Sequence, residues 1–402
     1  MTDVVQKLEA SYEANLGPTV IPDCADAPEA GRRALGGISR EGTLNLIGAA
    51  VGAVSLGLLL FGRLSPVAGP FGLVVVSYLM FLALYAFLTS VTEGRPVVVD
   101  KVMTVLMCTA GAVAGIALVS VISFVIWKGI SVIPRTNLYT HDMSQAGPLS
   151  PLSVGGIAHA IVGTLIIITI AIAITVPLGL TCAVYLNEST GRGVRLVRTL
   201  VDAMTALPSI LAGLFIFATW ILILGFERSG LAAGLATGIM MLPIIIRSAD
   251  VVLRLVPGNL REASAATGAP QWRTVWHVVL PTARSGLATA IILGVARGLG
   301  ETAPVLLTAG FTASMNLNPV HNPMVTLPLA AFEFVRSPQK ALIQRGFATA
   351  FVLMLVVLVL FAFARFLGGR PAGHLSKRQA RRVANRSLRD AQRFRARPVE
   401  VN

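Results

Sequence analysis

Runs of about 20 apolar residues recur along this chain and leave few folds open to it. At 1.5 Å per residue such a run crosses the ~30 Å hydrocarbon core of a bilayer. Within that core a helix satisfies its backbone N–H and C=O groups internally, which an irregular segment cannot do. The sequence predicts eight spans, at about 44–61, 71–90, 102–127, 155–186, 200–226, 230–253, 285–309 and 346–367. With 54% hydrophobic and 13% charged residues, a soluble globular domain is excluded. The expected class is all-α, a polytopic membrane protein.

The connections divide the chain. Residues 1–42 are polar and rich in small residues, and they lack the basic start and apolar centre of a signal peptide. They are read as a cytoplasmic segment, followed by two spans within 43–100. Six spans fill 101–368, with a polar loop at 129–154, Pro177 interrupting the fourth span, Pro208 in the fifth, and a Pro/Asn-rich outer loop at 310–344. Residues 369–402 are a basic tail, in which ten Lys and Arg face only Asp390 and Glu400. No folded nucleic-acid motif accompanies the tail, so it is read as a cytoplasmic segment beside anionic lipid. Cys24, Cys108 and Cys182 lack metal-ligand spacing and are assigned to packing. Arg192, Arg195, Arg198, Arg254, Arg261, Arg273 and Arg284 fall on one side of the spans together with the tail. The positive-inside rule makes that side cytoplasmic and places both termini there.

The polar stretch 257–283 carries its own pattern. Pro257-Gly258 is turn chemistry, and Asn259 with Glu262 has the spacing of a capping box. A short helix is expected to stop at Gly268, whose freedom at positive φ suits a C-cap. Pro270 suits the first turn of a second helix, which places Trp272, Val275, Trp276 and Val279 on one face before Pro281 closes it. Glu262-Ala263-Ser264, Gly268 and Leu280-Pro281 at this spacing resemble the EAA loop of ATP-binding-cassette importer permeases. That resemblance implies that the loop docks into a cleft on a cytoplasmic ATPase, with Glu262, Ala263, Gly268, Trp272, Trp276, Leu280 and Pro281 as coupling residues. Read by itself, the stretch is an amphipathic helical hairpin between two spans. The chain contains no G-x-x-x-x-G-K-[ST] phosphate loop, so an ATP-driven motor would be a separate polypeptide.

Charges inside the spans are the second clue. Arg297 and Glu301 stand at i, i+4, and Arg297 is about 12 residues from Ser285, or roughly 18 Å into the bilayer. A guanidinium at that depth costs on the order of 2.5–3.5 kcal/mol, which something must offset. One reading is a structural ion pair. The other is an anion path in which the Arg297 fork waits for an oxyanion and Glu301 holds it meanwhile. Gly294, Gly298 and Gly300 surround the pair, and Pro304 is expected to kink the helix above it. Arg247 is a third pathway candidate, although it is close enough to the cytoplasmic end to snorkel. Arg198 and Asp202 are read as an i, i+4 structural pair, and His159 as a satisfied polar residue.

LPIIIR at 242–247, REASAATGAPQWRTVWHVVLP at 261–281 and ARGLGETAPVLLTAG at 296–310 resemble the permease subunits of bacterial phosphate importers. HAIVGT at 159–164 and PLGLTCAVYLNE at 177–188 are also similar. The resemblance covers about residues 100–370. It implies a six-helix type I importer core (MetI-like) with two extra N-terminal helices. It also implies a sister permease, an ATPase dimer that carries the ATP and Mg, and a periplasmic or lipid-anchored phosphate-binding protein. Arg247, Arg297 and Glu301 would be the transport-linked charges, with no cofactor bound by this chain. Two other readings remain: the same machine acting on sulfate, molybdate or an organic solute, and an ATP-independent channel or carrier using Arg297 and Glu301 as a relay.

Overall fold

The structure, a computed structural model, describes residues 40–61, 70–368 and 381–389. The expected N-terminal segment before residue 40, with Cys24, the turn after the first span, and all of the basic tail except 381–389 lie outside the described residues. Two units are distinguished, 1–117 and 118–402.

In the first unit, α1 (Arg40–Leu59) packs on α2 (Pro70–Thr92), and α3 (Arg95–Gly129) begins. Small residues set the α1–α2 contact: Ala49 and Ala53 are buried, as are Tyr85 and Thr89 on α2. The Tyr78 hydroxyl lies 2.5 Å from Thr109 Oγ1, and Lys101 pairs with Glu93 at 2.8 Å. Cys108, expected in packing, is exposed on α3, because that helix presents most of its apolar surface outward. Cys182 does pack, against Leu186, Val201 and Ile246.

In the second unit, α5 (Ala158–Glu188) and α8 (Gly230–Arg254) form the central pair. Helix α11 (Leu280–Leu299) packs on α8, and α14 (Lys340–Gly368) packs on α11. The core is layered along these helices. A middle layer holds Ile168, Ala171, Met241, Ile245, Val295 and Leu299, and a layer toward the hairpin holds Ala183, Ala249, Leu253, Val279 and Leu287. Gly294 permits the α8–α11 contact, since a Cβ there would strike Ile245 Cγ1 and lie 3.0 Å from Cδ1. Ile245 is fully buried and β-branched, so its χ1 is held and Cγ1 has little room to swing away. Gly294→Ala is therefore expected to overpack this layer by about 1–3 kcal/mol. A lowered unfolding midpoint of the purified chain checks this, and an unchanged midpoint refutes it.

Several expectations are corrected. The fifth span is not one straight helix: α6 (Arg192–Thr205) meets α7 (Ser209–Ile216) and its π-helical continuation (Phe217–Ile223) at a bend of 103°. Pro208 causes the break, because its ring disfavours helical backbone in the residue before it. Helix α6 is also strongly amphipathic, which suits an interface better than a crossing. Among the described residues, seven helices are long and apolar enough to span, or eight if the bent pair counts as one span. Pro177 does not interrupt the fourth span, since α5 runs through it.

The loop at 129–154 is a folded cap rather than an irregular connection. Helix α4 (Asn137–Thr140) sits within it, and Asn137 Nδ2 donates to the carbonyls of Leu152 and Gly155 at 3.0 and 2.8 Å. The Ser144 hydroxyl and the backbone amides of Ser144 and Met315 donate to Asp142, holding its carboxyl below the usual range. Arg345 pins the cap from below. It is 1% exposed and donates to the carbonyls of Pro151 (3.1 Å) and Val154 (2.5 Å) and to Met143 Sδ. The outer loop at 310–344 contains α13 (Leu327–Arg336), and α14 starts at Lys340, before the expected 346. His159 is buried, but neither ring nitrogen has a hydrogen-bond partner among the described residues, contrary to the satisfied role expected of it.

Candidate functional site

The seventh span ends sooner than the sequence suggests. Helix α11 stops at Leu299, and α12 (Ala303–Thr308) begins after a break at Gly300, Glu301 and Thr302. Pro304 thus falls in the first turn of a new helix, where a missing N–H is harmless, rather than kinking a continuous one. The break lies level with the middle of α8, itself long and apolar enough to span: Gly298 faces Met241 and Thr237, and Met241 is the twelfth of the 25 residues of α8. Interrupted helix at that depth persists only where it is buried in protein or lines a wet cavity.

Arg297 and Glu301 straddle this break. Arg297 occupies the last turn of α11, where the partial negative charge of the helix terminus favours a cation. Its Nε lies 3.2 Å from Glu301 Oε1, so the expected pairing is present. The two side chains differ sharply in exposure, at 56% for Arg297 and 7% for Glu301. The contact is an ion pair without hydrogen-bond alignment, and Glu301 Oε1 is buried with no hydrogen-bond donor among the described residues. A fully satisfied structural bridge would bury both partners and align them. Here a half-open guanidinium presents free N–H groups, and a buried carboxylate keeps an acceptor in reserve. Gly294 and Gly298 serve helix approach rather than ligand space, since Ile245 and Met241 fill the positions their side chains would take.

Arg247 is not alone in the way its sequence position suggests. It pairs with Asp202 of α6, through Nε at 3.1 Å and Nη2 at 2.5 Å. The expected Arg198–Asp202 pair is replaced by this partnership, and Arg198 turns toward Asp250 at 4.0 Å. An Arg placed ahead of an acid along a helix is the weaker i, i+4 order. Helix α6 packs on α8, which brings opposite charges across the interface instead.

The hairpin is helical where expected, with altered ends. Helix α9 (Gly258–Ala266) starts one residue before Asn259, which makes no cap hydrogen bond. Gly268 takes φ +76°, as predicted for the stop. Pro270 is the N-cap of α10 (Gln271–Thr274) rather than its first helical residue. Pro281 does not close this second helix: α10, a π-helical stretch (Val275–Val279) and α11 run on as a single helical stretch from Gln271 to Leu299. The wider π turns shift the hydrogen-bond register just before Pro281, which reduces the cost of its absent N–H. The hairpin is therefore rigidly joined to the helix that carries Arg297.

Glu262, Ala263, Gly268, Trp272, Trp276 and Pro281 are all exposed, and Leu280 is half-buried. Trp272 and Trp276 are 59% and 65% exposed, an aromatic face left bare. Beside it lies a depression of about 510 Å³, bordered by Ser264, Trp272, Arg273 and His277. Arg261 was not singled out in the sequence, yet it anchors the hairpin. Its Nη2 donates to Asn187 Oδ1 at 2.8 Å and Leu253 O at 3.1 Å, and lies 3.2 Å from Glu188 Oε1. Gln271 Nε2 adds a bond to Glu188 O at 3.0 Å. The adjacent charge of Arg261 and Glu262 gave no hint of this, because Asn187 and Glu188 are more than 70 residues away.

Known proteins give the arrangement a context. The sequence profile of the family described as "Binding-protein-dependent transport system inner membrane component" matches residues 175–371. The phosphate transport system permease protein PstA 1 of Mycobacterium tuberculosis is 40% identical over 275 residues, which covers 67% of this chain and 90% of that protein. PstA of Mycobacterium leprae is 38% identical over 275 residues, again covering 67% and 90%. A solved chain of the MetNI methionine ABC transporter, in inward-facing conformations, aligns with 19% identity over 53% of this chain and 91% of its own. Its TM-score of 0.40 is too low to bear on the argument. This all-helical, multi-pass chain belongs to the family of binding-protein-dependent transport system inner membrane components, alongside the PstA permeases.

Proposed function

We infer that this chain is a permease subunit of an ATP-driven importer of inorganic phosphate, set in a bacterial inner membrane with both termini cytoplasmic. The observation that carries the reading is the half-open Arg297 guanidinium at a mid-depth helix break, backed by buried Glu301. A planar fork donates two parallel hydrogen bonds to phosphate, and Glu301 accepts from a protonated phosphate oxygen. Arg247 is a further charge on the same path. The PstA relatives support phosphate as the substrate. The chain forms the path with a sister permease and receives substrate from a phosphate-binding protein. ATP and Mg belong to a separate ATPase dimer, which docks on the hairpin; this chain holds no cofactor and performs no hydrolysis.

The hairpin transmits force because it is stiff and tethered. Arg261 and Gln271 tie it to the end of α5, and the continuous Gln271–Leu299 helix joins it to Arg297. Movement imposed on its exposed face reaches the helix break directly.

Co-purification and transport test the assignment. Affinity capture of the chain from its native membranes is expected to bring down an ATPase and a second permease. The reconstituted complex with its binding protein should take up labelled phosphate only with ATP, undiminished by excess sulfate or molybdate. Uptake by this chain alone would favour the carrier reading, and competition by sulfate or molybdate would transfer the assignment to another oxyanion. Glu262→Lys, at an exposed position where folding is spared, is expected to lower uptake by at least about tenfold by weakening ATPase docking. Unaltered ATPase binding and uptake in that variant would remove the docking role.

A further inference from the structure

A second set of charges lies apart from Arg297, where α6 meets the hairpin-proximal end of α8. Arg198, Asp202, Arg247, Asp250 and Arg254 border a cavity of about 350 Å³ with an apolar floor that includes Leu186 and Ile246. That volume is at the lower end of the range of small-molecule sites, roughly 300–1,000 Å³. Three guanidinium groups face two carboxylates, which leaves one positive charge in surplus.

The pairing inside the cavity is uneven. Arg254 engages Asp250 through both carboxylate oxygens, at 3.2 and 2.7 Å, so Asp250 is well served. Arg198 is loosely held, 4.0 Å from Asp250 and 3.5 Å from the Leu186 carbonyl. Both Arg247 contacts converge on the single oxygen Asp202 Oδ1, and both side chains of that pair are 52% exposed. Asp202 also rides on α6, which is joined to α7 through the Pro208 bend.

We propose that this cavity is a release-side oxyanion station, in which Arg198 and Arg247 are the donors and Asp202 is the counter-charge that gives way. The proposal rests on the phosphate-import reading above. Arg247 is six residues beyond Met241 along α8, so the station lies about 9 Å inward of the level of Gly298, the residue after Arg297. An anion leaving Arg297 meets the idle N–H groups of Arg198 and displaces Asp202 from Arg247. The two nearby carboxylates hold the affinity down, as a path requires of its last site: attractive enough to enter, weak enough to leave. When the anion departs, Asp202 recaptures Arg247 and closes the cavity to return.

The test uses the complete importer reconstituted in vesicles with its ATPase face accessible. Transport from the binding-protein side is measured while inorganic phosphate on the ATPase side is raised, each variant being scaled to its own rate without it. Arg198→Gln is expected to raise the half-inhibiting phosphate concentration by about tenfold. Asp202→Asn is expected to lower it severalfold, because Arg247 loses its competitor. Product inhibition of the ATPase itself is common to all variants and cancels in the comparison. Structural damage would shift both variants the same way. A shift in the same direction, no shift, or a transporting wild type indifferent to phosphate on the ATPase side overturns the station while leaving phosphate import intact. A wild-type complex that moves no phosphate at all would remove both.

Discussion

Arg297→Gln is expected to stop phosphate uptake in a complex that still assembles. The substitution keeps the length and one planar polar head but removes the charge and the paired N–H fork. Truncating one member of a charge pair in a desolvated site costs about 2–5 kcal/mol, which is at least about thirtyfold in rate. The Arg297 side chain is 56% exposed, so the loss falls mainly on the bound anion rather than on the fold. Glu301 is then left buried without its cation, and some instability follows from that. The double variant Arg297→Gln with Glu301→Gln separates the two effects. It should recover the unfolding midpoint without recovering uptake. Restored uptake in the double variant would make the pair a structural bridge, and normal uptake in the single variant would end the pathway assignment.

Arg345→Leu is expected to destabilise the outer cap strongly. The side chain is fully buried, and among the described residues it has no carboxylate partner; the carbonyls of Pro151 and Val154 are its main partners. Replacing a buried ion pair by apolar residues can be neutral when both partners go. Here the acceptors are backbone and remain, so each left unpaired costs about 1–3 kcal/mol. With two such carbonyls the expected loss is roughly 2–6 kcal/mol. The cap at 129–154 should become sensitive to protease while the hairpin does not. An unchanged midpoint and an equally resistant cap would show that Arg345 contributes nothing there.

The spans were legible in the sequence because each satisfies its own backbone and exposes an apolar surface, both properties of the local run of residues. Gly268 as a stop was legible for the same reason, since its φ of +76° is a local demand. Pro208 and Pro177 look alike in sequence, yet α5 runs through one and the chain bends by 103° at the other. The difference lies in the surroundings. Pro177 sits in an apolar helix packed along α8 on both sides of the proline, whereas the segment before Pro208 is strongly amphipathic and the one after it apolar, so the two lie in different directions.

The sequence by itself determined the class of the chain and the location of the hairpin, through its apolar runs and its turn chemistry, and it set Glu301 only four residues from Arg297. Only the tertiary structure decided that Asp202 belongs to Arg247, that Arg261 anchors the hairpin to α5, that Arg345 holds the outer cap, and that the helix breaks at Glu301. Apart from the break, these are pairings between segments far apart in the chain. A charged side chain in an apolar medium takes the opposite charge or carbonyl that packing brings within reach, and packing is set by all the helices together rather than by any one of them.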